Sequence, residues 1–254
     1  MTLLFLLCAF SMLAGFVDAV VGGGGLIQLP AVLILLPGVP LPALLGTNKF
    51  ASFFGTSMAV QRYARHVSID WRTVAPTAIV AGIFAFIGSH AVTLLYPAVL
   101  RPLVLVLLIA VAIYVFLVKE LGLIHRPKHT PDKARFIGMA VGAAIGFYDG
   151  FFGPGTGSFL IFAFVGIFGF DFLSASASAK AVNWSTNIAS LIYFAMHGNV
   201  LYGFGLAMAA SNVLGAALGT RVAIAKGSRF VRLFFLVIVC ALIAKLAQTM
   251  WSQP

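Results

Sequence analysis

The chain has 254 residues, of which 61% are hydrophobic and only 9% are charged, compared with about 25% charged residues in an ordinary soluble domain. This composition predicts an all-α polytopic membrane protein and leaves no room for a soluble catalytic domain, so an enzyme is not expected. The formal net charge is +10. Because the basic residues lie in short loops between apolar runs, they indicate membrane topology rather than nucleic-acid binding, and we expect the lipid bilayer, not nucleic acid, as a partner.

Apolar segments occur along nearly the whole chain, and a helix of about 20 residues crosses a bilayer. The predicted segments, in chain order, are residues 2–17 with 26–36, 44–61, 73–94, 99–118, 136–152 with 157–168, 175–195, 203–220 and 230–249. The N-terminal run lacks a basic region and a cleavage site, so residues 1–17 are expected to remain in the protein. Each half of the chain then contains four segments, and the first of each four is interrupted by glycines.

An internal repeat relates the two halves. Residues 15–27, GFVDAVVGGGGLI, align without a gap with residues 146–158, GFYDGFFGPGTGS, at an offset of 131 residues (146 minus 15). The same offset superposes further chemically distinctive residues: Lys49 on Lys180, His66 on His197, and Arg101 on Arg232. We therefore predict a tandem duplication, with residues 1–120 as the first membrane repeat, 121–135 as a cytoplasmic linker and 136–254 as the second membrane repeat.

The basic residues predict that the two repeats have opposite orientations. In the first half the basic loop is the one that follows the second segment, with Arg62, Arg65 and Arg72. In the second half the equivalent loop, at residues 197–202, contains no Lys or Arg, and the basic loop is the next one, with Arg221, Lys226, Arg229 and Arg232. Lys and Arg mark the cytoplasmic side of a membrane protein. Equivalent loops thus lie on opposite sides, and the halves are inverted repeats whose first segments are broken or re-entrant at the glycine clusters.

The glycine clusters predict a polar cavity, because unpaired backbone groups are tolerated at membrane depth only against protein or water. Each helix that begins after a cluster would direct its free N–H groups at the centre of the protein, which favours an anion. The alternative is that the glycines only permit tight helix packing. The candidate substrate-binding residues on these turns are Gly22, Gly23, Gly24, Gly25, Gly153, Gly155, Thr156 and Gly157.

Two lysines and two aspartates are the candidate charged residues of this cavity. Lys49 and Lys180 lie near the starts of apolar helices, and we expect them to face the cavity, although lysines near helix ends also extend to the membrane surface. The amides near them, Asn48, Asn183 and Asn187, complete the candidate binding site. Asp18 and Asp149 are interpreted either as proton carriers or as caps of the glycine turns. No metal ligand set, cofactor or catalytic residue is predicted.

The motifs GFVDAVVGGGGLIQLP, TNKFAS, GFYDGFFGPGTGSF and SASAKAVNWSTNIASL resemble the TauE/SafE sulfite exporter family, also called the sulfite/organosulfonate permeases, and in particular its YfcA-like branch. The resemblance covers essentially the whole chain. It implies a carrier of the bacterial inner membrane for sulfite, thiosulfate, sulfonates or related anions, driven by protons. The family motif residues fall on Asp18, Gly22 to Gly25, Asn48, Lys49, Asp149, Gly153, Gly155, Lys180 and Asn183.

The sequence therefore predicts a proton-coupled secondary transporter of small anions that works by alternating access. A second hypothesis is a carrier or channel for cations or neutral amino acids that uses Asp18 and Asp149 as its charged sites. The sequence leaves the oligomeric state open, a homodimer included.

Overall fold

The computed structural model describes residues 2–94 and 122–251, with side chains described as far as Ile238 and at Cys240. Within these ranges all regular secondary structure is helical. The first half contains α1 (Thr2–Val21), α2 (Gly25–Leu35), α3 (Leu41–His66) and α4 (Trp71–Val92), and the second contains α5 (Pro131–Phe151), α6 (Thr156–Gly166), α7 (Phe172–Met196) and α8 (Tyr202–Trp251). The predicted segment at residues 99–118 lies outside the described residues.

The helix boundaries differ from the predicted segments in two places. α5 begins at Pro131, so its first turn includes residues that the linker prediction covers. α8 joins the two predicted segments at 203–220 and 230–249, and only Gly227, with φ of 70° and ψ of −171°, departs from helical geometry. Proline is well suited to a first helical turn, which explains the earlier start of α5.

The helices break at both glycine clusters, as the sequence predicts. Gly22 has φ of 76° between α1 and α2, and Gly153 has φ of 90° between α5 and α6. Residues with a Cβ rarely adopt such angles, so glycine is required at these two turns. The short helices α2 and α6 each have 11 residues, which corresponds to about 16 Å, or roughly half of a bilayer core.

The distribution of polar and apolar side chains fits a multi-pass membrane protein. Three helices in the described part of the chain are long and apolar enough to cross a membrane: Thr2–Val21, Trp71–Val92 and the Tyr202–Ile238 part of α8. Large apolar side chains cover the outside of the bundle, and Phe5 and Phe136 are each 72% exposed. Polar side chains such as Ser11, Gln28 and Thr186 are buried. A lipid-facing exterior with a polar interior is the opposite of the pattern in a soluble domain.

Helix packing is symmetric between the two halves. α1 packs along α8, and its counterpart α5 packs along α4. α3 also packs on α8, as α7 does on α4, and α3 and α7 contact each other. Exchanging each helix for its counterpart therefore reproduces the same set of large helix contacts, which is what a duplicated chain with interlocked halves requires.

Small residues allow the α4–α5 contact to be close. A Cβ at Gly150 would overlap the Ala85 carbonyl oxygen, and a Cβ at Gly146 would overlap that of Ala81. Glycines spaced by four residues on α5 thus lie directly against the backbone of α4. Close backbone approach through small residues is the usual way in which membrane helices maximise packing.

A buried polar network lies on one side of the bundle only. Asn212 of α8 donates to Gln28 Oε1 at 2.8 Å and to the Ser11 carbonyl oxygen at 3.2 Å, and Ser11 Oγ donates to the Met208 carbonyl oxygen at 2.7 Å. The offset of 131 places these three polar residues on Ala81, Phe159 and Gly142. The equivalent place in the other half is therefore apolar.

Asp171 joins the start of α7 to the bend in α8. Its carboxylate caps α7 by accepting from the backbone of Leu173 and Ser174 at 3.0 and 3.1 Å. It also accepts from Ser228 Oγ, next to Gly227, at 2.6 Å. Burial raises the pKa of Asp171, but hydrogen bonds from Ser174, Ser228 and the helix backbone outweigh this, so the pKa is lowered overall.

Replacing Gly150 with Ala should destabilise the protein by about 1 to 3 kcal/mol, because the added methyl group forces α4 and α5 apart. The matched control is Gly203→Ala in α8, where a Cβ meets no atom of the described residues within 4 Å. That change should leave stability equal or slightly higher, since alanine is the better helix former. Thermal unfolding in detergent measures both; equal melting temperatures for the two variants would contradict the packing argument.

Replacing Asp171 with Ala should cost about 1 kcal/mol at neutral pH through loss of the cap. Since the folded-state pKa of Asp171 lies below the unfolded one, its stabilisation is fully present above the ordinary pKa of about 3.9 and is lost as the pH falls through the lowered value. The difference in melting temperature between wild type and variant should therefore be present at about pH 5 and shrink below about pH 4; His125, whose Nδ1 lies 3.3 Å from Asp171 Oδ2, adds to it wherever the imidazole is protonated. Asp132→Ala, an exposed acid on α5, serves as the control and should lower the melting temperature less at neutral pH.

Candidate functional site

The two glycine turns meet at the centre of the bundle. Ser158, on the first turn of α6, donates from its backbone to the Gly22 carbonyl oxygen at 3.2 Å and from its hydroxyl to the Val21 carbonyl oxygen at 2.8 Å. A Cβ at Gly22 would overlap the backbone of Gly157. The two broken helices therefore contact each other through backbone atoms, which only glycine permits at this separation.

A cavity of about 30 Å³ lies where the turns meet. Its lining comes from both halves of the chain: Asp18, Gly22, Gly25, Asn48, Lys49, Ser52, Asp149, Gly153, Thr156, Gly157, Asn183 and Asn187. By this measure one water molecule needs about 10 to 15 Å³, so the cavity has room for about two. An organosulfonate therefore requires the lining elements to move apart.

Two ion pairs connect the halves at this cavity. Lys49 Nζ lies 2.7 Å from Asp149 Oδ2, and Lys180 Nζ lies 2.7 Å from Asp18 Oδ2. Each lysine thus binds the aspartate of the opposite half, and the offset of 131 converts one pair into the other. The pairs differ in burial, because the side chain of Asp18 is 18% exposed and that of Asp149 only 3%.

The lysines do not extend to the protein surface. Lys180 is fully buried and Lys49 nearly so, and Lys49 also donates to Asn187 Oδ1 at 3.3 Å. A charge is stable at such a position only when it is paired. The carboxylates of Asp18 and Asp149 face these ammonium groups, and it is the backbone carbonyl oxygen of Asp18 that accepts from the Gly22 amide, at 2.8 Å.

Asn48 is a second indication that this cavity receives a polar ligand. Its side chain lines the cavity and is 8% exposed. Its Oδ1 atom is buried and has no hydrogen-bond partner among the described residues. A buried polar atom without a partner costs about 1 to 3 kcal/mol, so such atoms are usually satisfied by water or ligand.

The start of a helix faces the cavity from each half. Gly25 begins α2, and Thr156 and Gly157 begin α6; all three line the cavity. The N–H groups of a first turn have no acceptor within their own helix, and the helix dipole adds partial positive charge there. Both broken helices therefore direct positive potential at the same small volume.

The structure brings most of the predicted site residues together. Four of them do not line the cavity: Gly23, Gly24, Gly155 and Lys180. Lys180 lies behind Asp18 and contacts its carboxylate. Ser52 lines the cavity but was not among the predicted residues. The offset of 131 places it on Asn183, a predicted residue, and this equivalence is the signal that could have identified it.

One contact lies at the centre of the internal symmetry. Asn187 Nδ2 donates to Thr56 Oγ1 at 3.4 Å, and the offset of 131 superposes these same two residues on each other. Counterparts that contact each other must lie close to the axis that relates the halves. The axis therefore passes between α3 and α7, beside the cavity that Asn187 lines.

Comparison with known proteins agrees with this architecture. The family model described as sulfite exporter TauE/SafE matches residues 7–246. The chain belongs to this family. One relative, the probable membrane transporter protein ORF9 of Sinorhizobium sp, is 36% identical over 96% of this chain and 92% of its own length. A probable membrane transporter protein of Haemophilus influenzae is 34% identical over 96% and 94%.

The probable membrane transporter protein YfcA of Escherichia coli is 32% identical to this TauE/SafE chain, over 93% of the chain and 86% of its own length. No solved structure matches the chain. The family and these relatives support a membrane transporter rather than an enzyme as the class of protein.

Breaking one buried ion pair of this TauE/SafE protein should be costly. Lys49→Met leaves the Asp149 carboxylate buried without a cation and should lower the free energy of unfolding by about 3 to 5 kcal/mol, whereas Lys49→Met combined with Asp149→Leu should recover most of this loss. Unfolding in detergent of the two single variants and the double variant gives the coupling between the residues. Lys133→Met, at an exposed lysine of α5, is the control and should change stability by less than about 0.5 kcal/mol. Additive losses in the double variant would contradict the pairing.

Proposed function

We propose that the protein is a proton-coupled secondary transporter of small anions, of the sulfur-oxyanion or organosulfonate type, in the inner membrane of a bacterium. The observation that supports this most directly is the cavity between the glycine turns, where two lysine–aspartate pairs and two helix N-termini converge. The description of the family as sulfite exporters supports the substrate class, and relatives named as bacterial membrane transporters support a bacterial membrane.

The chemistry of the lining favours a compact anion with several oxygen atoms. Lys49 supplies a charged donor, and the amides of Asn48, Asn183 and Asn187 supply neutral ones. The N-termini of α2 and α6 add N–H groups from opposite sides, so a tetrahedral or pyramidal oxyanion could accept hydrogen bonds from both halves at once. Sulfite, thiosulfate and the sulfonate group all have this shape and charge.

In this proposal the membrane repeats comprise residues 1–120 and 136–254 and have opposite orientations. The reciprocal ion pairs, the exchangeable helix contacts and the contact of Thr56 with Asn187 all support two equivalent halves around one axis. If that axis lies in the membrane plane, as the basic loops indicate, rocking of one half against the other opens the cavity to each side in turn. Transporters built in this way bind their substrate at the repeat interface, which is where the cavity lies.

The binding experiment uses the purified protein in detergent, with thermal unfolding followed in sulfite, thiosulfate, methanesulfonate, sulfate, acetate and two chloride salts of different cations. A sulfur anion should raise the melting temperature, because it binds only the folded state. Lys49→Gln should abolish the shift, and Lys128→Gln, the matched exposed lysine, should retain it. Asn48→Leu should separate function from stability: its unliganded melting temperature should equal or exceed that of wild type, while the anion shift is lost.

Two results would overturn this assignment. One is an anion shift that persists undiminished in both Lys49→Gln and Asn48→Leu, which would place the anion elsewhere. The other is stabilisation by a cation alone that Asp149→Asn removes, which would favour a cation carrier centred on the aspartates.

A further inference from the structure

We infer that the anion competes with the aspartate carboxylates for the lysines. Each negative charge therefore enters the site together with one proton, and transport is electroneutral. In this scheme a proton binds to an aspartate carboxylate, which becomes neutral, and the ammonium charge that it had balanced then balances the anion, whose oxygen contacts Lys49, the lysine that lines the cavity. No bond other than the one between proton and carboxylate forms or breaks, and nothing is oxidised or reduced. The inference rests on the proposed function, because it concerns the same cavity.

The charge balance of the cavity carries this inference. Lys49 and Lys180 contribute two positive charges, and Asp149 and Asp18 contribute two negative ones at 2.7 Å from them. Within the described residues, Asp18, Asp149 and Lys49 are the Asp, Glu, Lys or Arg residues that line the cavity, and Lys180 lies directly behind Asp18. These four charges sum to zero. An anion that entered alone would leave one uncompensated negative charge in a buried place, which proteins do not stabilise.

The geometry also requires an exchange of partners. Lys49 Nζ, which lines the cavity of about 30 Å³, is already at contact distance from Asp149 Oδ2, so an anion that reaches this ammonium group meets a carboxylate already bound to it. Anion and carboxylate therefore compete for the same ammonium group. A neutral carboxylic acid competes weakly, since hydrogen bonds to a charged acceptor are the stronger ones.

In the described part of the chain, few titratable side chains lie near Asp18 and Asp149. Asp18 faces Lys180 of α7 and lies near Tyr63 of α3, whose hydroxyl donates to the Ala19 carbonyl oxygen. Asp149 faces Lys49 of α3 and neighbours Tyr148, whose hydroxyl donates to the Pro154 carbonyl oxygen.

The helices packed against α1 and α5 each carry one ionisable residue close in sequence to a contact with them. On α8, Arg221 lies two residues after Gly219, where a Cβ would meet Phe16 and Ala19 of α1. On α4, His90 follows Ser89, which donates to the Gly150 carbonyl oxygen of α5. Both Arg221 and His90 are exposed.

The unequal burial of the pairs gives an order to the exchange. In this conformation Asp18 is the more exposed aspartate, so protons reach it first. Its protonation leaves the charge of Lys180, directly behind it, to balance a monovalent anion. A divalent anion needs a second protonated aspartate, so its uptake should depend more steeply on pH.

Proteoliposomes containing the purified wild-type protein test the stoichiometry with two probes of fixed charge. Methanesulfonate is a monoanion and thiosulfate a dianion throughout about pH 5 to pH 8. Internal acidification should accompany uptake, with one proton per methanesulfonate and two per thiosulfate. A membrane potential imposed with potassium and valinomycin should leave both rates unchanged.

Variants of the aspartates test which residue carries the proton that accompanies the anion. In Asp18→Asn, a neutral side chain of the same shape replaces the carboxylate, so methanesulfonate uptake should lose its accompanying proton and become sensitive to membrane potential. Asp132→Asn, an exposed acid on α5, is the matched control and should keep the wild-type proton count. Should Asp18→Asn fail to fold, the wild-type proton counts still decide the matter.

The outcomes separate the two proposals. Uptake that carries net charge in the wild type, or equal proton counts for the two probes, overturns the electroneutral exchange and leaves the anion transporter standing. Absence of binding and uptake for every sulfur anion overturns the proposed function, and the exchange with it.

Discussion

The lysine–aspartate pairs that cross between the halves are the contacts on which the rest of this structure depends. A lysine inside a membrane bundle is tolerated only with a partner, and here each half supplies the partner for the other: Asp149 for Lys49, and Asp18 for Lys180. Neither repeat could bury its own lysine alone. The packing of α3 against α7, of α3 against α8 and of α7 against α4 is consistent with this mutual requirement.

The glycine turns create a cavity and place helix N-termini beside the charged pairs. If α1 continued as a straight helix, its backbone groups would all be satisfied and no cavity would form. The breaks at Gly22 and Gly153 instead expose helix N-termini beside the ammonium groups, and the direct backbone contact between the turns keeps the resulting volume small. Positive potential from the backbone and from the side chains is thereby concentrated at one point between the two halves.

Much of this site could be predicted from the sequence, because a duplicated chain marks its own important positions. The offset of 131 identified the glycine turns, both lysines and both aspartates without structural information. It could not reveal that Lys49 pairs with Asp149, since an internal alignment shows which residues are equivalent and not which ones touch. Ser52 was missed for a related reason: its counterpart is Asn183, so no identical pair drew attention to it. Lys180 was expected in the cavity lining but lies behind Asp18. Residue spacing shows which face of a helix a side chain occupies, but not whether another side chain stands between it and the cavity.

The buried network of Ser11, Gln28 and Asn212 breaks the equivalence of the halves, because Gly142, Phe159 and Ala81 take the corresponding places. In a carrier with two identical inverted halves, the inward-facing and outward-facing forms would be equivalent by rotation and equally populated. If the protein works by the proposed alternating access, three polar side chains that are buried together on one side of the bundle remove that equivalence. The carrier then prefers one orientation even without a gradient, and this preference sets how long the unloaded carrier faces each side of the membrane while leaving the direction of net flux to the gradients.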